Sequence, residues 1–140
     1  MLTDSLEAAI RFCDEGEQWL RTSHWTVIFK SALSALDSSK QLDFTPYLNF
    51  PLEVISTEQS RLLQAADRAW VFGGMGSWND MGFESDQQHA EYEVVSSRLY
   101  QAVNVVITDV VNSASPVFDL APVTTSLPYP PGGKPWWRFW

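Results

Sequence analysis

The stretch from Tyr92 to Val111, YEVVSSRLYQAVNVVITDVV, decides the fold class of this chain. Its second half is rich in β-branched residues, which favour strands. Apolar residues nevertheless recur with the 3.6-residue period of a helix, and neither glycine nor proline interrupts them. The pattern therefore predicts one long helix that starts near Ser85. Its apolar face consists of Tyr92, Val95, Leu99, Ala102, Val103, Val106, Ile107 and Val110.

Two segments near the start of the chain show the same period. In the first, Asp4 and Glu7 have capping-box spacing, and the helix is expected to continue past Gly16 with a bend. In the second, Thr22 or Ser23 is the expected N-cap. Its apolar stripe predicts a second helix and consists of Trp25, Ile28, Phe29, Ala32, Leu33 and Leu36.

A connector and a further helix lie between these segments and the long helix. Prolines interrupt residues 42–55, which predicts an extended connector. Ser56 and Gln59 then have capping-box spacing, and Gly73–Gly74 are expected to end the helix that follows.

The composition changes after Ser115, because six of the eight prolines lie from Pro116 onward. We expect a helical domain over residues 1–115 and a Pro/Trp-rich tail over 116–140 that forms neither helix nor central strand. The tail is too apolar to remain in solvent, so it is expected to pack on the same domain or on a second copy. A proline-rich ligand for an aromatic groove and contact with a membrane surface are weaker interpretations. The predicted fold is all-α, a four-helix bundle-like single domain with this extended tail packed on it.

Charge and cysteine content limit the classes of function. The formal net charge is −8, and such an acidic chain lacks the positive field that nucleic-acid binding requires. Complementary charge instead favours a basic protein partner. The single cysteine excludes an intrachain disulfide, and neither a signal peptide nor a spanning segment is recognisable. A cytoplasmic location is expected.

The glycine-rich stretch WVFGGMGSWNDMGF, residues 70–83, is the first candidate site. Its glycines follow a predicted helix without the lysine of a phosphate-binding loop. One interpretation is a recognition loop, because tryptophan, methionine and phenylalanine are enriched at interface centres. The other is that the loop folds back and buries its aromatic residues. The predicted partner-binding residues are Met75, Trp78, Asn79, Asp80, Met81, Phe83, Glu84 and Asp86.

Reactive chemistry has few candidates. Asp86, His89 and Glu93 share a helix face and are weak candidates for a metal site, but no other helix offers a matching set. Cys13 lies on the apolar stripe of the first helix, and no nucleophile elbow occurs. We therefore expect a protein that is not an enzyme and has neither cofactor nor metal.

The preferred hypothesis is a non-catalytic, acidic protein-binding domain. An immunity or antitoxin-type inhibitor of a basic partner is one concrete form of it, by analogy of charge and size. The residues expected to steer the encounter are Asp14, Glu15, Glu17, Glu84, Asp86, Glu91 and Glu93. The alternative is a small-ligand-binding domain with an aromatic pocket formed by Trp25, Phe29, Trp70, Phe72 and the tail tryptophans.

Overall fold

A computed structural model describes residues 1–42, 54–73 and 76–118, and for residues 115–118 the backbone alone. Within these ranges the chain is all-helical, as predicted. The helices are α1 (Leu2–Glu15), α2 (Gln18–Arg21), α3 (His24–Ala35), α4 (Thr57–Arg68) and α5 (Asp86–Phe118), with a short 3-10 turn at Trp78–Asp80. No helix in the described ranges is both long and apolar enough to cross a bilayer. Most of the predicted connector and tail lies outside these residues.

Helix α5 confirms the prediction from its apolar period, and the strand alternative for its valine-rich half is wrong. Tyr92, Leu99 and Val103 are all buried along the predicted face. The expectation that the chain forms no helix beyond Ser115 is wrong for residues 116–118, because α5 continues to Phe118 and includes Pro116. Proline removes one i→i−4 hydrogen bond and its ring crowds the preceding turn, a cost that this 33-residue helix tolerates near its end.

Helix α4 begins with the predicted capping box. The backbone N–H of Gln59 donates to Ser56 Oγ at 3.1 Å, and the backbone N–H of Ser56 donates to Gln59 Oε1 at 2.9 Å. The helix ends at Arg68, before Gly73, so the glycines do not form its C-cap. Ala69 occupies that position instead.

Helix α1 differs from the prediction at both ends. It begins at Leu2, and the Asp4 carboxylate lies 2.9 Å from the terminal ammonium, so Asp4 is not its N-cap. It also ends at Glu15, and α2 is a separate short helix rather than the continuation of a bent one. A Cβ at Gly16 would lie 2.6 Å from Leu20 Cδ2 and 3.0 Å from the Phe12 carbonyl oxygen, so a larger residue here would displace the Leu20 side chain and crowd the backbone of α1.

The four longer helices surround one core. Helix α1 packs against α3 and α5, and α4 packs against the same two helices. Small residues at these contacts allow the helices to approach closely. Full burial of a leucine or phenylalanine side chain contributes about 1.5–3 kcal/mol to the free energy of folding. Fully buried members of the core include Leu6, Ala9, Cys13, Phe29, Ala32, Ala66, Leu99 and Val103.

Candidate functional site

Trp78, the expected anchor of the recognition loop, lies inside the protein. Its side chain is 0% exposed, and its ring contacts those of Phe29 at 5.0 Å and Trp25 at 5.6 Å between centroids. The indole Nε1–H donates to Ser96 Oγ at 2.6 Å, and the Tyr92 hydroxyl donates to the Trp78 carbonyl at 2.7 Å. The expectation that Trp78 is presented to a partner is therefore wrong. An aromatic ring with a satisfied N–H is more stable in the core than in solvent.

The glycine-rich backbone explains how Trp78 reaches the core. Gly76 has a φ of 79°, in the left-handed region that glycine adopts without strain. The turn is held by a hydrogen bond from the Gly76 N–H to the Asp80 carboxylate. The Trp78 N–H donates to the Val71 carbonyl at 3.2 Å. The chain thus reverses after α4 and directs the indole inward.

The other predicted partner-binding residues fall into three groups. Met75 lies outside the described residues. Asn79, Met81 and Phe83 are half-buried, and the Phe83 ring lies 5.1 Å from that of Tyr92. Only the carboxylate side chains of the set are exposed, namely Asp80, Glu84 and Asp86. Their role in partner binding stays a prediction.

Two of the three weak metal candidates, His89 and Glu93, lie close together. His89 Nε2 lies 3.4 Å from Glu93 Oε1, and the His89 ring also packs near Phe83 and Tyr92. In the part of the chain that the structure describes, no three side chains of His, Cys, Asp or Glu converge to hold a metal ion. Asp86 therefore does not complete a site with this pair.

Cys13 is buried in the core, as its position on the apolar stripe predicts. Burial raises the pKa of its thiol to about 11. Because the thiolate is the reactive form, this cysteine is poorly suited to act as a nucleophile at neutral pH.

The predicted walls of an aromatic ligand pocket separate into two groups. Trp25 and Phe29 pack edge-to-face on the Trp78 indole, which occupies the space beside them. Trp70 and Phe72 instead pack with Tyr100, and the Trp70 side chain is 46% exposed. No ring contact joins the two groups within these described residues.

A concave surface lies between α1 and α5, and we call it the α1/α5 groove. It comprises two adjoining cavities of about 450 Å³ and about 210 Å³. Residues that line both cavities are Phe12, Glu15, Gln87 and Glu91. Apolar residues form much of the larger cavity, namely Ala8, Phe12, Ala90, Val94 and Val95. The position a Cβ would take at Gly16 lies 3.4 Å from Gln88 Nε2, so the carboxyl end of α1 lies beside the amino end of α5.

The carboxylates of the groove come from both helices. Glu15 ends α1 and Glu91 lies in the second turn of α5, and these two acids of the predicted steering set line the same cavities. Arg11 is the cation among the described residues that line the larger cavity. The groove therefore combines apolar walls with an acidic end, which suits a ligand that is both apolar and cationic.

The carboxyl end of α1 is electrostatically unfavourable. Its last turn contains Asp14 and Glu15 and no basic residue, although this end of the helix dipole is negative. Lys30 Nζ lies 3.3 Å from Asp14 Oδ2 and compensates that carboxylate. No comparable cation pairs with Glu15 among the described residues.

The carboxyl end of α3 shows the opposite arrangement. Arg61 of α4 donates from Nη1 to the carbonyls of Asp37 at 2.9 Å and Ala35 at 3.4 Å. Its Nη2 donates to the carbonyl of Ser38 at 3.5 Å. Arg61 Nη2 also donates to the Lys40 carbonyl. One guanidinium thus satisfies the last carbonyl of α3 and three carbonyls of the turn that follows.

Sequence reasoning missed Phe12 and Val94 as parts of a site. Phe12 contributes both to the core and to the groove. Val94 lies off the apolar face of α5 and is 50% exposed. The sequence signal that could have found it is a valine on the polar side of an amphipathic helix, which indicates exposed apolar surface.

No known protein family, curated protein or solved structure matches this chain.

Proposed function

We propose that this protein is a non-catalytic domain that binds a basic protein partner through the α1/α5 groove. Neutralisation of that partner, as by an immunity or antitoxin-type inhibitor, is the concrete form of the proposal, and it rests on analogy of size and charge. A cytoplasmic location, expected from the single cysteine, is part of it.

One observation carries the proposal. The groove places Glu15 and Glu91, from two different helices, beside an apolar surface that includes Phe12 and Val94. Apolar area supplies affinity, and complementary charge supplies steering and specificity. The net charge of −8 gives the whole chain a negative field, which also attracts a basic partner.

We place the partner site at the groove rather than at the glycine-rich loop. Trp78 is not part of the proposed partner site, because its side chain is buried. Glu84 and Asp86 precede the groove at the amino end of α5, so they remain steering residues in the proposal. The aromatic-pocket alternative has no observation in its favour, since its predicted walls are divided between two groups.

We also propose that the four longer helices form a bundle-like domain. The contacts of α1 and α4 with both α3 and α5 support a bundle-like arrangement of these four helices. The tail beyond Phe118 lies outside the described residues, and its packing on the domain or on a second copy stays a prediction.

Affinity capture with paired variants tests the proposed function. Wild-type protein is used to capture a basic protein from native extract at low salt, and the captured protein is then purified and titrated against each variant. Glu15→Gln combined with Glu91→Gln should weaken binding by about tenfold or more, and raised salt should have a similar effect. Glu7→Gln combined with Asp109→Asn is the matched control, because it removes two exposed carboxylates that do not line the groove.

Two outcomes would reject the proposal. One is the absence of any basic protein captured at any ionic strength. The other is equal weakening by the groove pair and the control pair, which would show that net charge alone is responsible.

A further inference from the structure

We infer that the α1/α5 groove receives an amphipathic helix of the partner, with apolar side chains in the groove and an arginine at the carboxyl end of α1. This inference rests on the proposed function and specifies the chemistry of the bound segment. It follows from the shape of the groove, its apolar walls and the contrast between two helix ends.

The shape of the groove suits a helix. The α1 residues that line it are Ala8, Arg11, Phe12 and Glu15, which follow the i, i+3, i+4, i+7 pattern of one helix face. The α5 residues Gln87, Ala90, Glu91 and Val94 follow the same pattern. Each wall therefore extends over about two turns, roughly 10 Å. Two such faces form the kind of groove in which the apolar side of a third helix packs.

The larger cavity needs an apolar occupant. Its volume of about 450 Å³ lies within the range of pockets that hold whole ligands, so it can receive more than one side chain. Phe12 reaches it from the core, whereas Val94 is half exposed at its rim. Leucine or phenylalanine side chains spaced by three or four residues on the partner helix would cover this surface.

The acidic end of the groove needs a cation. The contacts of Arg61 near the end of α3 indicate that an arginine fits such a place. Arg61 donates to the carbonyl of Ala35, the last residue of α3, and to three carbonyls of the turn that follows, those of Asp37, Ser38 and Lys40. The end of α1 has the same negative dipole and adds the Glu15 carboxylate, with Glu91 across the groove. A planar guanidinium can bind carbonyl and carboxylate oxygens together, whereas an ammonium offers no such fork.

Arg11 gives the bound helix a direction. It lines the larger cavity but not the smaller one, which adjoins Gly16. Like charges repel, so the arginine of the partner should lie at the Gly16 end and a neutral or acidic residue should lie beside Arg11.

A designed peptide tests the inference directly. The probe is a 20-residue helical peptide with two leucines at i and i+4 and one arginine a turn beyond, titrated calorimetrically against the full chain. We expect saturable binding, weakened about tenfold when both leucines become alanine and several-fold when the arginine becomes lysine. In the Glu15→Gln protein the preference for the arginine peptide over the lysine peptide should be reduced, whereas in the Glu7→Gln control it should persist in full.

Backbone NMR shifts locate the peptide. Shifts concentrated at Phe12, Glu15, Glu91 and Val94 support the inference. It is overturned by the absence of saturable binding, by shifts elsewhere, or by an arginine preference that is not reduced in Glu15→Gln. If the captured basic protein still requires Glu15 and Glu91 while the peptide fails, the helical mode is wrong and the proposed function stands.

Discussion

The Trp78 turn and the α1/α5 groove both combine apolar side chains with polar groups, but the protein uses them differently. The indole of Trp78 is fully buried, and its N–H has a hydrogen-bond acceptor in Ser96. In the groove, Val94 is half exposed and Glu15 lies at the unfavourable end of a helix. The first region therefore stabilises the fold. In our proposal the second is kept open for a partner at a small cost in stability.

The largest expected effect comes from Trp78→Ala. It removes a fully buried ring that contacts four other aromatic rings, so we expect a loss of about 3–5 kcal/mol in the free energy of unfolding. Urea denaturation measures it. Trp70→Ala is the control, and its loss should be below about 1.5 kcal/mol because Trp70 is 46% exposed. Similar losses in the two variants would contradict the contrast between a buried and a surface indole.

Ser96→Ala sharpens the same comparison at a single hydrogen bond. It leaves the buried indole N–H without the acceptor now at 2.6 Å, which should cost about 1–3 kcal/mol in thermal or urea unfolding. In a Trp78→Phe background the N–H is already absent, so the same serine change should cost much less. Equal costs in the two backgrounds would show that the bond to Ser96 contributes little.

The sequence was informative where local chemistry decides the outcome. The apolar period of α5 and the capping box at Ser56 predicted helices that the structure confirms. The glycine-rich stretch indicated where the chain turns, but the direction in which Trp78 points depends on the space left between α1, α3 and α5. Phe12 and Val94 lie 82 positions apart in sequence, and only the packing of two helices makes them one surface.

Arg61→Ala tests the comparison between the two helix ends. It removes the guanidinium that donates to the carbonyls at the end of α3, and we expect a loss of about 1 kcal/mol in the free energy of unfolding. Arg61→Lys should recover only part of it, since an ammonium cannot reach several carbonyls as a planar fork does. Complete recovery by lysine would weaken the argument that a helix end in this protein prefers arginine.

The smallest effect is the most diagnostic, because its sign separates a structural from a binding role. Glu15→Gln removes a carboxylate from the negative end of α1, so the isolated protein should become more stable by about 0.3–1 kcal/mol while its affinity for the cationic peptide falls. Asp14→Asn is the matched control in the same turn. Asp14 is paired with Lys30, so Asp14→Asn should bring no comparable gain in the free energy of unfolding. Asp14 also does not line the groove, so the affinity for the peptide should not fall. A residue retained for stability would destabilise the protein on removal. If Glu15→Gln does so, the carboxyl end of α1 has an internal partner and the contrast with α3 disappears.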